Sequence, residues 1–93
     1  MRVVISDAAE AKLRSIQDYI AEYDPRAAER AMQRIAQVTR MLGDFPKLGA
    51  PWDEKSRSIV VSGLPFRIHY RLTGEIVEII TVLHMSQRPF RED

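Results

Sequence analysis

From Phe66 to Leu72 apolar and cationic residues take turns, with Phe66, Ile68, Tyr70 and Leu72 interleaved by Arg67, His69 and Arg71. A period of two puts the apolar set on one face of a strand and the cationic set on the other. Thr73-Gly74 can turn the chain, because glycine accepts positive φ without a steric cost. Glu75 to His84 then reads as the partner strand, dense in the β-branched residues Ile76, Val77, Ile79, Ile80, Thr81 and Val82. Unlike its neighbour, this second strand is apolar on both faces. Either it is central and overlaid by the chain's own tail, or a partner protein lies on it.

The rest of the chain supplies what such a hairpin packs against. Arg2 to Ile5 is a short first strand, and Ser6 is placed to cap a helix by accepting from a first-turn amide. Asp7 and Glu10 put negative charge where the helix macrodipole favours it. Ala9, Leu13, Ile16, Ile20 and Tyr23 follow at helical spacing, with Tyr19 and Tyr23 read as packing residues. Asp24-Pro25 ends that helix and opens a second, with Asp24 as cap and Pro25 in its first turn. Ala28, Met32, Ile35, Val38 or Thr39, and Leu42 form the second stripe, and Gly43 is the expected stop. So short a connection predicts an antiparallel helical hairpin over about residues 7–42. The loop 43–57 holds Phe45, Leu48 and Trp52, which are too apolar for an idle linker and are expected to pack across one end of the core. Ser58 to Ser62 is a further strand, so the sheet-forming region spans 58–84, and 85–93 is a polar tail. The expectation is a single α+β domain over 1–93, β-α-α-β-β-β, with the hairpin on a mainly antiparallel sheet of three or four strands.

Composition narrows the function. The chain has no cysteine, which removes disulfides, thiolate metal sites and a cysteine nucleophile, and fits a reducing cytoplasm. No apolar run approaches a membrane span or a signal peptide. No metal-ligand spacing or phosphate-cradling glycine loop occurs, so no cofactor is expected. The net charge of +1 is far below that of a strongly basic nucleic-acid binder, although a local cationic face is still compatible with it. That small value hides an acidic first helix and a second helix carrying Arg26, Arg30 and Arg34 at four-residue spacing. This stripe is either a docking face for an acidic peptide or a solvated face balanced by the first helix.

The residues able to carry chemistry are Arg57, Arg67, His69, Arg71, His84 and Arg88. Histidine moves protons near neutral pH, and arginine stabilises charge in a phosphodiester transition state, so together they suit metal-free cleavage. The alternative is an exposed outer sheet face on which Glu78 pairs with an arginine across strands. Neither a Ser/His/Asp pattern nor a carboxylate pair stands out to decide between them.

In order and spacing these features resemble the RelE/ParE superfamily, the toxins of bacterial type II toxin–antitoxin modules. The resemblance rests on Ser6 opening a helix with Leu13, Ile16, Tyr19 and Ile20, and on Asp24-Pro25-Arg26-Ala27-Ala28 between the helices. It continues through Leu42, Phe45-Pro46 and Leu48-Gly49 to Phe66-Arg67-Ile68-His69-Tyr70, Val77-Glu78-Ile79 and Val82-Leu83-His84. The helix junction and the Val-Leu-His ending look closer to the ParE branch. The resemblance implies a cytoplasmic toxin that forms a hetero-oligomer with a ParD-like antitoxin, whose disordered segment folds on binding. It also implies contact with DNA only indirectly, through the antitoxin or the target. Arg26, Arg30, Arg34, Ile76, Ile80 and Val82 are the expected antitoxin contacts.

Function divides within that superfamily. RelE-like members cleave messenger RNA on the ribosome with basic residues of the sheet, and ParE-like members inhibit DNA gyrase. The tail lacks tyrosine, and no lysine follows Lys55, which favours gyrase inhibition by contact and a protein that is not an enzyme. The expected target contacts are Arg67, Arg71, His84, Arg88 and Arg91. The alternative is a metal-independent ribonuclease using Arg67, His84 and Arg88, and a further one is a non-toxic remnant that only binds antitoxin.

Overall fold

The computed structural model describes residues 1–85. Its elements are β1 (Arg2–Ile5), α1 (Asp7–Ala21), α2 (Pro25–Asp44), β2 (Ala50–Pro51), β3 (Arg57–Val60), β4 (Phe66–Thr73) and β5 (Ile76–His84). The sheet has five strands in the order β1-β5-β4-β3-β2. The first strand runs parallel to β5 and every other pairing is antiparallel. This is the expected α+β arrangement with one strand more, because the two-residue β2 adds itself at the edge.

Local signals act as read from the sequence. The Ser6 hydroxyl accepts from the Ala9 amide at 3.0 Å, and an Asp24 carboxylate oxygen accepts from the Arg26 amide at 3.0 Å. Gly74 turns the β4–β5 hairpin with φ of 62°. Ile35, Val38 and Leu42 of α2 join Ile68, Tyr70, Val77, Ile79 and Val82 of the sheet in one core, and Ala28 and Ala31 of the same helix are buried as well.

The apolar character of β5 has a geometric explanation. Along β4 and β5, His69 pairs with Thr81 but Tyr70 pairs with Ile79, so Ile80 is the extra residue of a bulge. A bulge shifts the alternation by one position. Val77, Ile79 and Val82 therefore all reach the same core, although their numbers differ in parity. The loose carbonyl of the bulge is tied down by Ser6, whose hydroxyl donates to Ile80 O at 2.9 Å while its amide donates to Ile79 O at 3.1 Å. One serine thus caps α1 and closes the bulge.

Two expectations are corrected here. Gly43 does not stop α2, which continues to Asp44. A Cβ at Gly43 would lie 2.9 Å from Met1 O and 3.2 Å from a Val3 methyl, so glycine lets β1 cross close over the helix. The Met1 ammonium donates to Gly43 O at the same crossing. The loop does not lay Phe45 and Leu48 into the core either. Both are exposed, around a shallow hollow of about 500 Å³ lined also by Met1, Pro46 and Leu72. The core end they were expected to cover is filled by Tyr70, whose hydroxyl bonds the loop backbone directly.

Candidate functional site on the outer face of the sheet

The alternation in β4 sends Arg67, His69 and Arg71 to the face away from the helices. Their ladder partners on β5 are Leu83, Thr81 and Glu78, and on β3 Val60 lies beside Arg67 and Ser58 beside His69. The turn between β2 and β3 then folds over this face. An oxygen of Asp53 accepts from the Lys55 amide and from the Ser56 hydroxyl, each at 2.8 Å, and the Trp52 amide donates to Ser56 O at 2.9 Å. These short-range bonds hold the turn shut. They place the Trp52 ring 4.9 Å from the His69 ring, with the Arg67 guanidinium 5.8 Å from its centroid.

A chain of polar contacts runs beneath the indole. His69 Nε2 lies 2.9 Å from the Ser56 hydroxyl, which donates its single proton to Asp53. The hydroxyl therefore accepts from His69, which assigns the Nε2–H tautomer and leaves Nδ1 as an acceptor. Arg67 donates to the buried Ser58 hydroxyl at 3.0 Å. Burial pushes the His69 pKa below its ordinary value, and the Asp53 carboxylate only partly opposes this. Asp53 itself is held low, chiefly by the Lys55 amide and then by the Ser56 hydroxyl.

The lowered histidine value has a consequence for stability. Between it and the ordinary value near 6.5 the unfolded chain binds more protons than the folded one, so stability rises with pH. The contribution is complete above that range, is lost as pH falls through it, and levels off below. Urea denaturation at about pH 5 and about pH 8 should show this gain with pH. His69→Gln should reduce it, and an unchanged gain in the variant would contradict the assignment.

The other sequence candidates separate. Arg71 is engaged, its Nε 2.6 Å from a Glu78 carboxylate oxygen, in the one ion pair among the described residues. Such an exposed pair contributes at most about 1 kcal/mol. Arg57 donates to Gly49 O at 2.6 Å and holds the loop. His84 lies opposite Phe66, edge-to-face at 5.4 Å, and so sits on the helix side of the sheet. Arg67 and His84 are therefore on opposite faces and do not form one site. Arg88 and Arg91 lie outside the described residues.

Of the expected antitoxin contacts, Arg26, Arg30 and Arg34 are exposed on α2, with Arg34 donating to Ser62 O at 3.1 Å. Ile76 and Ile80 are half-buried. Val82 is 0 % exposed, because the bulge turns it into the core, so it offers nothing to a partner. Over Ile76–Ile79 both edges of β5 are taken, by β1 on one side and β4 on the other. A second apolar opening lies elsewhere, on the helix side. It is a groove of about 420 Å³ between Ile16, Tyr19 and Ile20 of α1, Ala27 and Ala31 of α2, and the Leu64–Phe66 segment beside His84. Tyr19 and Tyr23 are not packing residues, being 64 % and 75 % exposed and in edge-to-face contact at 5.4 Å.

What sequence reasoning missed is the assembly of Trp52, Asp53 and Ser56 over His69. The available signal is Asp53 three residues before Ser56, a spacing that suits a side-chain-closed turn.

Comparison with known proteins agrees with this fold. Residues 3–89 match the model of the ParE toxin of the type II toxin–antitoxin system parDE. The chain is 38% identical over 78 residues to "Putative toxin Y4kP" of Sinorhizobium fredii, covering 83% of this chain and 80% of that protein. It is 30% identical over 86 residues to toxin RelE2 of Caulobacter vibrioides, covering 92% and 97%. Among solved structures, a chain of the chromosomal ParDE system of P. aeruginosa superposes with a TM-score of 0.79 at 24% identity, over 90% of this chain and 95% of that one. With most of its length matched by the family, the chain belongs to the ParE toxins of type II toxin–antitoxin systems.

Proposed function

We propose that this toxin inhibits DNA gyrase by binding it, without chemistry of its own, and that a ParD-like antitoxin neutralises it. The observation that carries the contact mechanism is the division of the basic residues by the sheet. A ribonuclease built on Arg67, His84 and Arg88 needs its groups around one phosphodiester, and Arg67 and His84 face opposite ways. Contact with a protein has no such requirement. Arg67 and Arg71 would meet the target from the outer face, with His84, Arg88 and Arg91 contributing from the end of the chain.

The antitoxin reading is supported by the helix-side groove, which suits the apolar face of an amphipathic helix. Arg26, Arg30 and Arg34 would receive acidic side chains, and Ile76 and Ile80 retain apolar surface for the same partner. The product is a hetero-oligomer, formed in the cytoplasm where gyrase works. No helix among the described residues is long and apolar enough to cross a membrane.

The test is gyrase supercoiling with purified toxin, following cleaved DNA and using the antitoxin complex as control. Supercoiling should fall, cleaved DNA should accumulate, and antitoxin should reverse both. Full supercoiling at large toxin excess would overturn the gyrase reading.

A further inference from the structure

We propose that residues 86–93 of the chain fold back into its own helix-side groove, seating the Phe90 ring between α1 and α2 and bringing the Glu92 carboxylate to Arg30. This concerns the toxin by itself and holds for any target. The tail and the antitoxin helix proposed above become alternatives for one surface.

The first observation is the groove itself. It offers about 420 Å³ between Ile16, Tyr19, Ile20, Ala27, Ala31 and Phe66, and the two alanines leave room for a ring. Apolar surface open to water is stabilised by any large apolar side chain that covers it. The second is where the chain goes. Met85, the last described residue, donates its amide to Pro65 O at 2.7 Å, and Pro65 and His84 both line the groove. The tail therefore leaves at the groove's rim, and a chain of five residues spans up to about 17 Å, so Phe90 is well within reach. A segment tethered this closely meets the groove at a high effective concentration. The other apolar hollow, beside Leu72, is at the far end of β4 from Phe66.

The third observation is complementarity. Phe90 is the one aromatic residue after Tyr70. Next to the groove, sharing Ala27, Ala31 and Leu64 with it, lies a hollow of about 370 Å³ lined by Arg30 and Arg34. Among the described residues no carboxylate lines either opening, and the one ion pair is that of Arg71 with Glu78. The charge of Arg30 is thus left for an acid from elsewhere. Glu92 stands two positions after Phe90. Residues two apart share a side of an extended segment, and Pro89 favours an extended residue before it. Phe90 and Glu92 then face the protein together, and Arg91 faces water.

The test compares methyl NMR spectra of the full chain and of Phe90→Ala, whose circular dichroism should remain that of the parent. A ring seated in the groove displaces the methyl signals around it. The Ile16, Ile20, Ala27 and Ala31 methyls should therefore move in Phe90→Ala, while those of Val60, on the outer face, stay. Arg30→Glu should carry the same signals partway toward their Phe90→Ala positions, since an exposed ion pair contributes little. Adding Glu92→Lys to Arg30→Glu should return them. Groove methyls unmoved by Phe90→Ala would overturn the proposal. So would movement of the Val60 methyls in their place, which would put the tail on the outer face. Displacements that vanish on dilution would also overturn it and assign the groove to the tail of a second copy. Parent-like signals in Arg30→Glu would overturn the pairing of Glu92 with Arg30.

Discussion

Gly49→Ala should lower the folding stability by about 3 kcal/mol, the upper part of the range for forcing atoms into a filled core. Gly49 is buried where β2 begins, and a Cβ there would stand 2.7 Å from Ser58 O and 2.8 Å from both Cε1 and the hydroxyl of Tyr70. None of these neighbours is a flexible end that can swing away: one is strand backbone and the others belong to a fully buried ring. The loop must therefore retreat as a unit. In doing so it gives up the bond from the Gly49 amide to the Tyr70 hydroxyl at 2.9 Å and the bond from Arg57 to Gly49 O at 2.6 Å. For a domain of this size the melting temperature should fall by roughly 12–24 °C. A loss below about 1 kcal/mol in urea denaturation would mean that the loop is softer than its packing implies. The same displacement should disturb the Trp52 turn, which follows directly in the chain.

The second large effect is expected from removing one oxygen. In Tyr70→Phe the ring keeps its place in the core, but two loop groups lose their partner. The hydroxyl accepts from the Gly49 amide and donates to Pro46 O at 2.7 Å. Tyr70 is 0 % exposed, so water does not take over at the Gly49 amide without opening the loop. A buried polar group left unsatisfied costs about 1–3 kcal/mol. About 2 kcal/mol is expected, or a fall of roughly 8–16 °C in melting temperature. Because Gly49 and Tyr70 touch, the double variant should cost less than the two single losses added together. Additive losses would show that the two residues act on separate parts of the fold.

These two residues mark where reading the sequence succeeds and where it stops. The alternation of Phe66 to Leu72, the Ser6 cap and the Asp24-Pro25 junction were legible because each acts over a few neighbouring residues. A strand pattern needs only its own period, and a cap needs an amide two or three positions on. From them followed the helical hairpin, the strand hairpin and the cationic outer face that carries Arg67, His69 and Arg71. The resemblance in motif order added the toxin family, which the family match bears out.

Tertiary structure decided everything that depends on distant parts of the chain meeting. Pairing of Arg2 with Ile76 made β5 a central strand, and no local pattern encodes that register. The bulge at Ile80 turned Val82 inward, which strict alternation could not foresee, and its carbonyl is satisfied by Ser6, 74 positions earlier. Arg67 and His84 both read as functional cations, but the direction each side chain takes from the sheet set them on opposite faces. Trp52 joined Arg67 and His69 only because the turn that carries it is anchored at both ends, by Tyr70 on Gly49 and by His69 on Ser56. The sequence by itself determined the elements and the charge of each face, since those are properties of short stretches. Which residues share a site was settled by register, bulge and loop closure, since those arise only when separate stretches compete for the same space and the same hydrogen bonds.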